Sequence, residues 1–179
     1  MTRRTFIEQI RRLMYGDQPP AEANITVGLV NTWLNQGIGV AARKNYLDSI
    51  QLDGISYVNN SFYTKFSDIA VTADEQFLWK VELPHLPVGI GNSEGISKLQ
   101  FKDSDSNQIS QTVVFLSQNQ TTYFNGMTPI PNKLLAYSQG KYVYIVSTIM
   151  LSSYTANVTM VSGGLSTDLD STLNVPDDY

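Results

Sequence analysis

One histidine, no cysteine and sixteen carboxylates bound the chemistry open to this chain of 179 residues. His85 lies in the proline-bracketed run Leu83-Pro84-His85-Leu86-Pro87. A Ser-His-Asp triad would have to use it, and no partner stands at a recognisable spacing. Zinc sites draw on several His or Cys ligands, more than one chain offers here. Asp103-Ser104-Asp105-Ser106-Asn107 opens like a calcium-binding EF-hand loop, but Gln108 and Val114 stand where that loop needs Gly and Glu. It reads as a polar hairpin turn. Gly89, Gly91 and Gly95 imitate a phosphate-binding glycine loop. The segment after them is strand-like, so no helix N-terminus is offered to a phosphate. Asp74 with Glu75, or Asp103 with Asp105, could supply the two carboxylates of a glycosidase. Both pairs fall in apparent turns, and sixteen acids produce such pairs by chance. The expectation is therefore a protein that is not an enzyme, with no catalytic residue, no metal and no cofactor.

The elements that would have positioned such a site read as two helices followed by short strands. Residues 5–14 form a short amphipathic helix, with Thr5 and Glu8 at capping-box spacing and Phe6, Ile7, Ile10, Leu13 and Met14 on one face. Arg3, Arg4, Arg11 and Arg12 surround it. They could meet phosphates or the acids of a neighbouring chain; the overall acidity, a formal net charge of −4, favours protein contacts. Gly16, Asp17, Pro19 and Pro20 end this helix.

Asn24 is the expected N-cap of a second helix of roughly six turns. Its stripe of Ile25, Leu29, Val30, Trp33, Leu34, Ile38, Ala41 and Ala42 should face the core, with Arg43 and Lys44 in the last turn. Gly28, Gly37 and Gly39 each cost about 0.8–1 kcal/mol in a helix interior, which points to close approach of a sheet or a neighbouring subunit, or to a kink. An Asp-Gly turn at 53–54 follows, then Tyr57 and Tyr63 in a Tyr/Asn-rich strand region.

From Ile55 onward eight strands are expected: 55–58, 62–66 with 69–71, 77–83, 95–101, 109–116, 134–137, 142–147 and 157–161, with a hairpin turn at Ser138-Gln139-Gly140. The fold class that follows is α+β: an N-terminal helical segment, 1–50, packed on an antiparallel β-sandwich or barrel-like domain, 51–163. Residues 164–179, polar and acidic, read as an extended C-terminal arm that needs a partner.

Ser, Thr, Asn and Gln together number 56, twice the 28 charged residues. A free surface normally relies on mixed charge, whereas interface cores are depleted in charge and enriched in tyrosine; there are ten tyrosines. A plain β-rich composition would also favour Thr and Tyr. No run of residues is long and apolar enough to span a membrane, and the N-terminus has no apolar core of a signal peptide. The sequons at Asn24, Asn59, Asn119 and Asn157 are read as chance matches.

The run NTWLNQGIGVAARKNYLDSIQLDGISYVNNSFYTKF resembles head–tail connector proteins of short-tailed bacteriophages, in particular neck ring proteins of crAss-like phages of Bacteroides. IAVTADEQFLWKVELPHLPVGIG, GMTPIPNKLLAYSQGKYVYIVST and YTANVTMVSGGLSTDLDSTLNVPDDY extend the resemblance over nearly the whole chain. Chains of this kind run on past the position of Tyr179, a departure that leaves open whether the C-terminus is shortened. The resemblance implies a structural virion protein made in the host cytoplasm. It would form a homo-oligomeric ring, a dodecamer, below the portal protein and against adjacent neck and tail rings. Genomic DNA would pass through without sequence-specific binding, and no membrane would be involved. Such a ring needs head-to-tail contacts, for which Arg3, Arg4, Arg11, Arg12, Gly28, Gly37, Gly39, Tyr57 and Tyr63 are the candidates. The alternatives are a distal-tail receptor- or carbohydrate-binding β module, with Trp79 more available for stacking than a core-facing Trp33, and a tail hydrolase.

Overall fold

The computed structural model describes residues 1–16, 20, 24–54, 57–90, 95–105, 107–109, 112–116, 133–161 and 168–173. The chain is α+β and divides into two units, Met1–Phe62 with Ser162–Tyr179, and Tyr63–Val161. Residues 164–179 thus group with the helices, and the β unit starts at residue 63.

Helix α1 spans Arg3–Tyr15 and helix α2 spans Val27–Asp53. The cap of α1 is Thr2, whose hydroxyl accepts from the Thr5 N–H at 3.3 Å. Thr5 therefore lies inside the helix, because Thr2 is the residue with extended backbone at the right offset. Thr26, not Asn24, caps α2 in the same way, accepting from Leu29 N–H at 3.2 Å. The backbone N–H of Ile25 is taken by the Tyr15 hydroxyl at 2.8 Å. At the other end Gly54 adopts φ 67° and returns its N–H to Ile50. That left-handed C-cap is what glycine supplies at little cost. Because α2 runs to Asp53, Arg43 and Lys44 sit more than two turns before its end, away from the C-terminal dipole. Tyr57 and Val58 have no regular structure, so the strand expected at 55–58 is absent from its described part; a turn of 3₁₀ helix at Asn60–Phe62 follows.

The second unit is one seven-stranded sheet: β1 Tyr63–Glu75, β2 Leu78–Glu82, β3 Ile96–Lys102, β4 Thr112–Phe115, β5 Lys133–Gln139, β6 Tyr142–Val146 and β7 Thr155–Val161. Its order is β3-β7-β1-β2-β6-β5-β4. All pairings are antiparallel except β4 with β5, which run parallel from Thr112↔Lys133 to Phe115↔Ala136. The sheet is mixed where a purely antiparallel one was expected. It is also nearly a barrel. Ile109 donates its N–H to Phe101 on edge strand β3, and three residues later the chain enters β4 on the opposite edge.

Strand β1 is shared between both halves of the sheet. Its first part, to Ala70, pairs with β7 and its second, from Val71, with β2, and a bulge centred on Asp68, φ 58°, interrupts the β7 pairing between Phe66 and Ile69. The freed Asp68 N–H goes to the buried Asn157 side chain at 3.1 Å. A positive φ at a non-glycine residue is unfavourable, and the bulge bends the strand in return. Inside the sheet Val81, Leu83, Phe101, Ile145, Leu151 and Met160 are all but inaccessible to solvent. Each such side chain contributes about 1.5–3 kcal/mol on burial. Trp79 packs part-buried against this core, whereas Trp33 is the exposed one, the reverse of the sequence expectation.

The Asp103 loop is a polar turn, as read. Its carboxylate accepts from the Asp105 and Asn107 backbone N–H groups at 3.0 and 2.8 Å. Those donors, Asn107 foremost, hold the Asp103 pKa below its ordinary value. The β5–β6 hairpin turns at Gly140-Lys141, with Gln139 opposite Tyr142, slightly later than expected.

Gly95 is the glycine the β unit cannot replace. At φ 76°, a Cβ there would lie 2.0 Å from the Val88 carbonyl oxygen. The approach is fixed by backbone bonds from Val88 N–H to Val161 O and from Val161 N–H to Gly95 O, both 2.8 Å. Gly95→Ala is expected to cost about 3 kcal/mol or more in urea unfolding, combining backbone strain with a clash. A loss under about 1 kcal/mol would contradict this account.

Candidate assembly surface

Helix α2 is patterned inside out. Val30 and Gly39 are buried in α2, and beside them runs one line of buried residues, Asn31, Asn35, Ile38, Ala42, Asn45 and Ser49. Their steps of four and three residues keep them on one face. Turning about 100° per residue, Leu29, Trp33, Val40 and Leu47 fall on the opposite face. All four are exposed, Trp33 retaining 45% of its surface, Val40 65% and Leu47 56%, and Ile50 and Leu52 near the helix end are exposed as well. A surface helix ordinarily puts its apolar stripe inward. The core-facing stripe expected from Leu29 and Trp33 is therefore divided, with Val30, Ile38 and Ala42 inside and Leu29 and Trp33 outside.

The cause is a buried guanidinium. Arg3, only 5% exposed, donates through Nη1 to Asn31 Oδ1 at 3.1 Å and to Asn35 Oδ1 at 2.5 Å. A buried cation needs acceptors, and two asparagines one turn apart supply them. Burial lowers the Arg3 pKa, and attraction to Asp168 partly offsets that; an arginine still stays charged. Further along, the Asn45 side-chain oxygen accepts from Asn59 N–H at 2.8 Å and the Ser49 hydroxyl donates to the Asn45 carbonyl at 2.8 Å. The inner face of α2 is thus a polar seam that holds α1 at one end and the 59–61 turn at the other.

The C-terminal segment completes this arrangement. The Arg3 and Arg4 N–H groups, orphans at the start of α1, donate to Ser171 and Leu169 carbonyls at 3.0 and 2.8 Å. Leu173 N–H returns to Met1, and Thr2 bridges Thr172. Arg4 Nε meets Asp170 at 3.0 Å on the surface, a pair that contributes little by itself. Residues 168–173, expected to await a partner, find one in their own N-terminus.

The predicted contact residues scatter accordingly. Arg3 is internal and cannot serve a neighbour. Arg4 is exposed and paired to Asp170, Arg11 is half-buried and Arg12 is exposed. Gly28 and Gly37 are exposed, and no atom lies within 4 Å of a Cβ built at Gly37. Gly39 is buried. Tyr57 is exposed in the first unit; Tyr63 is half-buried in the second, where burial raises its pKa and a Ser97 hydrogen bond lowers it. Val40, Leu47 and the asparagine seam were not singled out in the sequence. The four-residue step from Asn31 to Asn35, with Asn45 ten residues further on the same face, was the signal available.

The sequence matches no protein-family model and no curated protein. Among the described residues no group of three His, Asp or Glu side chains could hold a metal, and no helix is long and apolar enough to cross a membrane. His85 packs edge-on against Phe66 at 5.6 Å between ring centroids.

The β unit carries one further surface feature. Tyr137 and Tyr144, on neighbouring strands, stack at 5.1 Å with 16° between ring planes, and Tyr142 lies 6.4 Å from Tyr144. Lys80 Nζ stands 6.0 Å from the Tyr142 centroid and bonds Asp74 at 2.7 Å.

Arg3→Met should destabilise the chain by about 2–3 kcal/mol in denaturant, since it strands the Asn31 and Asn35 oxygens in a buried site. Arg4→Met, which removes a surface pair only, should cost under about 1 kcal/mol. Equal losses for the two variants would refute the buried clamp.

Proposed function

We propose that this chain is a structural virion protein, an oligomeric ring component of the head–tail connector beneath the portal. The single observation that carries an assembly role is the outward apolar face of α2. Four large apolar side chains exposed on one face, Leu29, Trp33, Val40 and Leu47, are what a subunit shows when its partners are removed. The neck location is supported by the sequence resemblance. Arg12, exposed on α1, is the arginine placed to meet an acidic neighbouring ring or the portal. Gold-labelled antibody against the chain is expected to mark the head–tail junction of purified virions, one axial position per particle. Label along distal fibres, or particles without label, would reject the connector.

One observation favours the second reading, a carbohydrate-binding β module of the distal tail. The Tyr137–Tyr144–Tyr142 ladder is an aromatic platform of the kind on which sugar rings stack. On that reading a panel of bacterial surface glycans should contain a ligand whose affinity falls at least about tenfold in Tyr144→Ala. Absence of any glycan binding by the parent chain would remove it.

A further inference from the structure

The nearly barrel-shaped sheet of the β unit is open along one line, where the edge strands β3 and β4 flank a cavity of about 180 Å³. Leu99 and Phe101 of β3, Ile109 beyond it and Val113 of β4 give this cavity an apolar lining. Its backbone groups matter as much. A strand turns the N–H and C=O of successive residues to opposite sides. Phe101 accepts the Ile109 N–H on the cavity side, so Leu99, two residues earlier, faces the cavity too. On β4, Leu116 N–H donates to Ala136 of β5, which turns Val113 and Phe115 away from β5 and toward the cavity. The N–H and C=O groups of Leu99, Val113 and Phe115 have no partner among the described residues. Leu99 is only 5% exposed, and backbone polar groups left unpaired in a buried place are costly.

We propose that this cavity is a strand-binding cleft: an extended segment of a separate polypeptide pairs with Leu99 on one side and with Val113 and Phe115 on the other. Donors and acceptors that recur at every second residue along two edges match an extended peptide, which carries the same repeat, and match no compact small molecule. The bond from Ile109 to Phe101 and the 2.9 Å bond from Gln100 Nε2 to Gln108 Oε1 tie the cleft at one end. The segment therefore enters from the Ile96 end. Its side chains must alternate as those of β3 do, apolar ones inward beside Leu99 and Val113 and polar ones outward beside Lys98 and Gln100. Lys98 has no ionic partner among the described residues, so an acid is favoured beside it. A lysine on an open edge deters unselective pairing, which leaves the cleft to a partner of matching charge. The site lies wholly in the β unit and holds whether or not the chain belongs to a virion.

The probe is the peptide acetyl-Val-Glu-Val-Thr-Val-amide, with acetyl-Val-Lys-Val-Thr-Val-amide as its charge-reversed control, each added in excess to the full chain. Hydrogen exchange read residue by residue should slow at least about tenfold at the Leu99, Val113 and Phe115 amides with the glutamate peptide. K98E, altering an exposed side chain, should keep the parent's far-UV circular dichroism and reverse the preference, from about threefold for the glutamate peptide to about threefold for the lysine peptide. V113P removes an N–H that the β4–β5 ladder does not use and should weaken the glutamate peptide at least about tenfold. Unchanged exchange at all three amides in saturating peptide would overturn the cleft. Equal binding of the two peptides to the parent chain would overturn the acidic partner. Sedimentation of the parent as a dimer that the glutamate peptide dissociates would give the cleft to a second copy and overturn the separate partner.

Discussion

Arg3 carries a charge into the interior of the N-terminal unit, and much of that unit is arranged around it. A buried guanidinium must find acceptors, so the adjacent face of α2 presents Asn31 and Asn35. The same residue's backbone N–H is held by the C-terminal segment, which returns to the start of α1. One residue thereby ties together three stretches of chain that are far apart in sequence. A buried charge recovers only part of what it loses on leaving water, so the clamp matters chiefly through what its removal would leave unpaired.

An inward polar seam has a consequence for the other side of the helix. Val30, Ile38 and Ala42 stay inside, while other apolar residues of α2 lie outward, where water is a poor neighbour for Trp33, Val40 and Leu47. A chain that worked alone would gain from the opposite pattern. The outward face thus leaves Leu29, Trp33, Val40 and Leu47 in water.

The β unit is organised by different means. Its apolar interior is ordinary, and its individuality lies in the backbone: the Asp68 bulge within the β1–β7 pairing, the close approach at Gly95, and the parallel β4–β5 pair. Its tyrosines lie side by side because Tyr137 and Tyr144 are directly paired across β5 and β6.

The sequence by itself determined the α+β class, the two helices, seven of the eight expected strands and the Gly140 hairpin, because hydrophobic period and turn chemistry are local. It determined the Asp103 turn for the same reason. Helix ends were misplaced by two or three residues at Thr2 and Thr26, since a threonine cap is recognised only by the hydroxyl's hydrogen bond. What only the tertiary structure decided is which face of α2 is inside. Leu29, Trp33, Ile38 and Ala42 read from the sequence as one apolar stripe, and nothing local says that Arg3, 28 residues before Asn31, claims the asparagine face. Long-range pairing settled that choice, as it settled the return of residues 168–173 to α1, because a buried charge selects its acceptors by position in space.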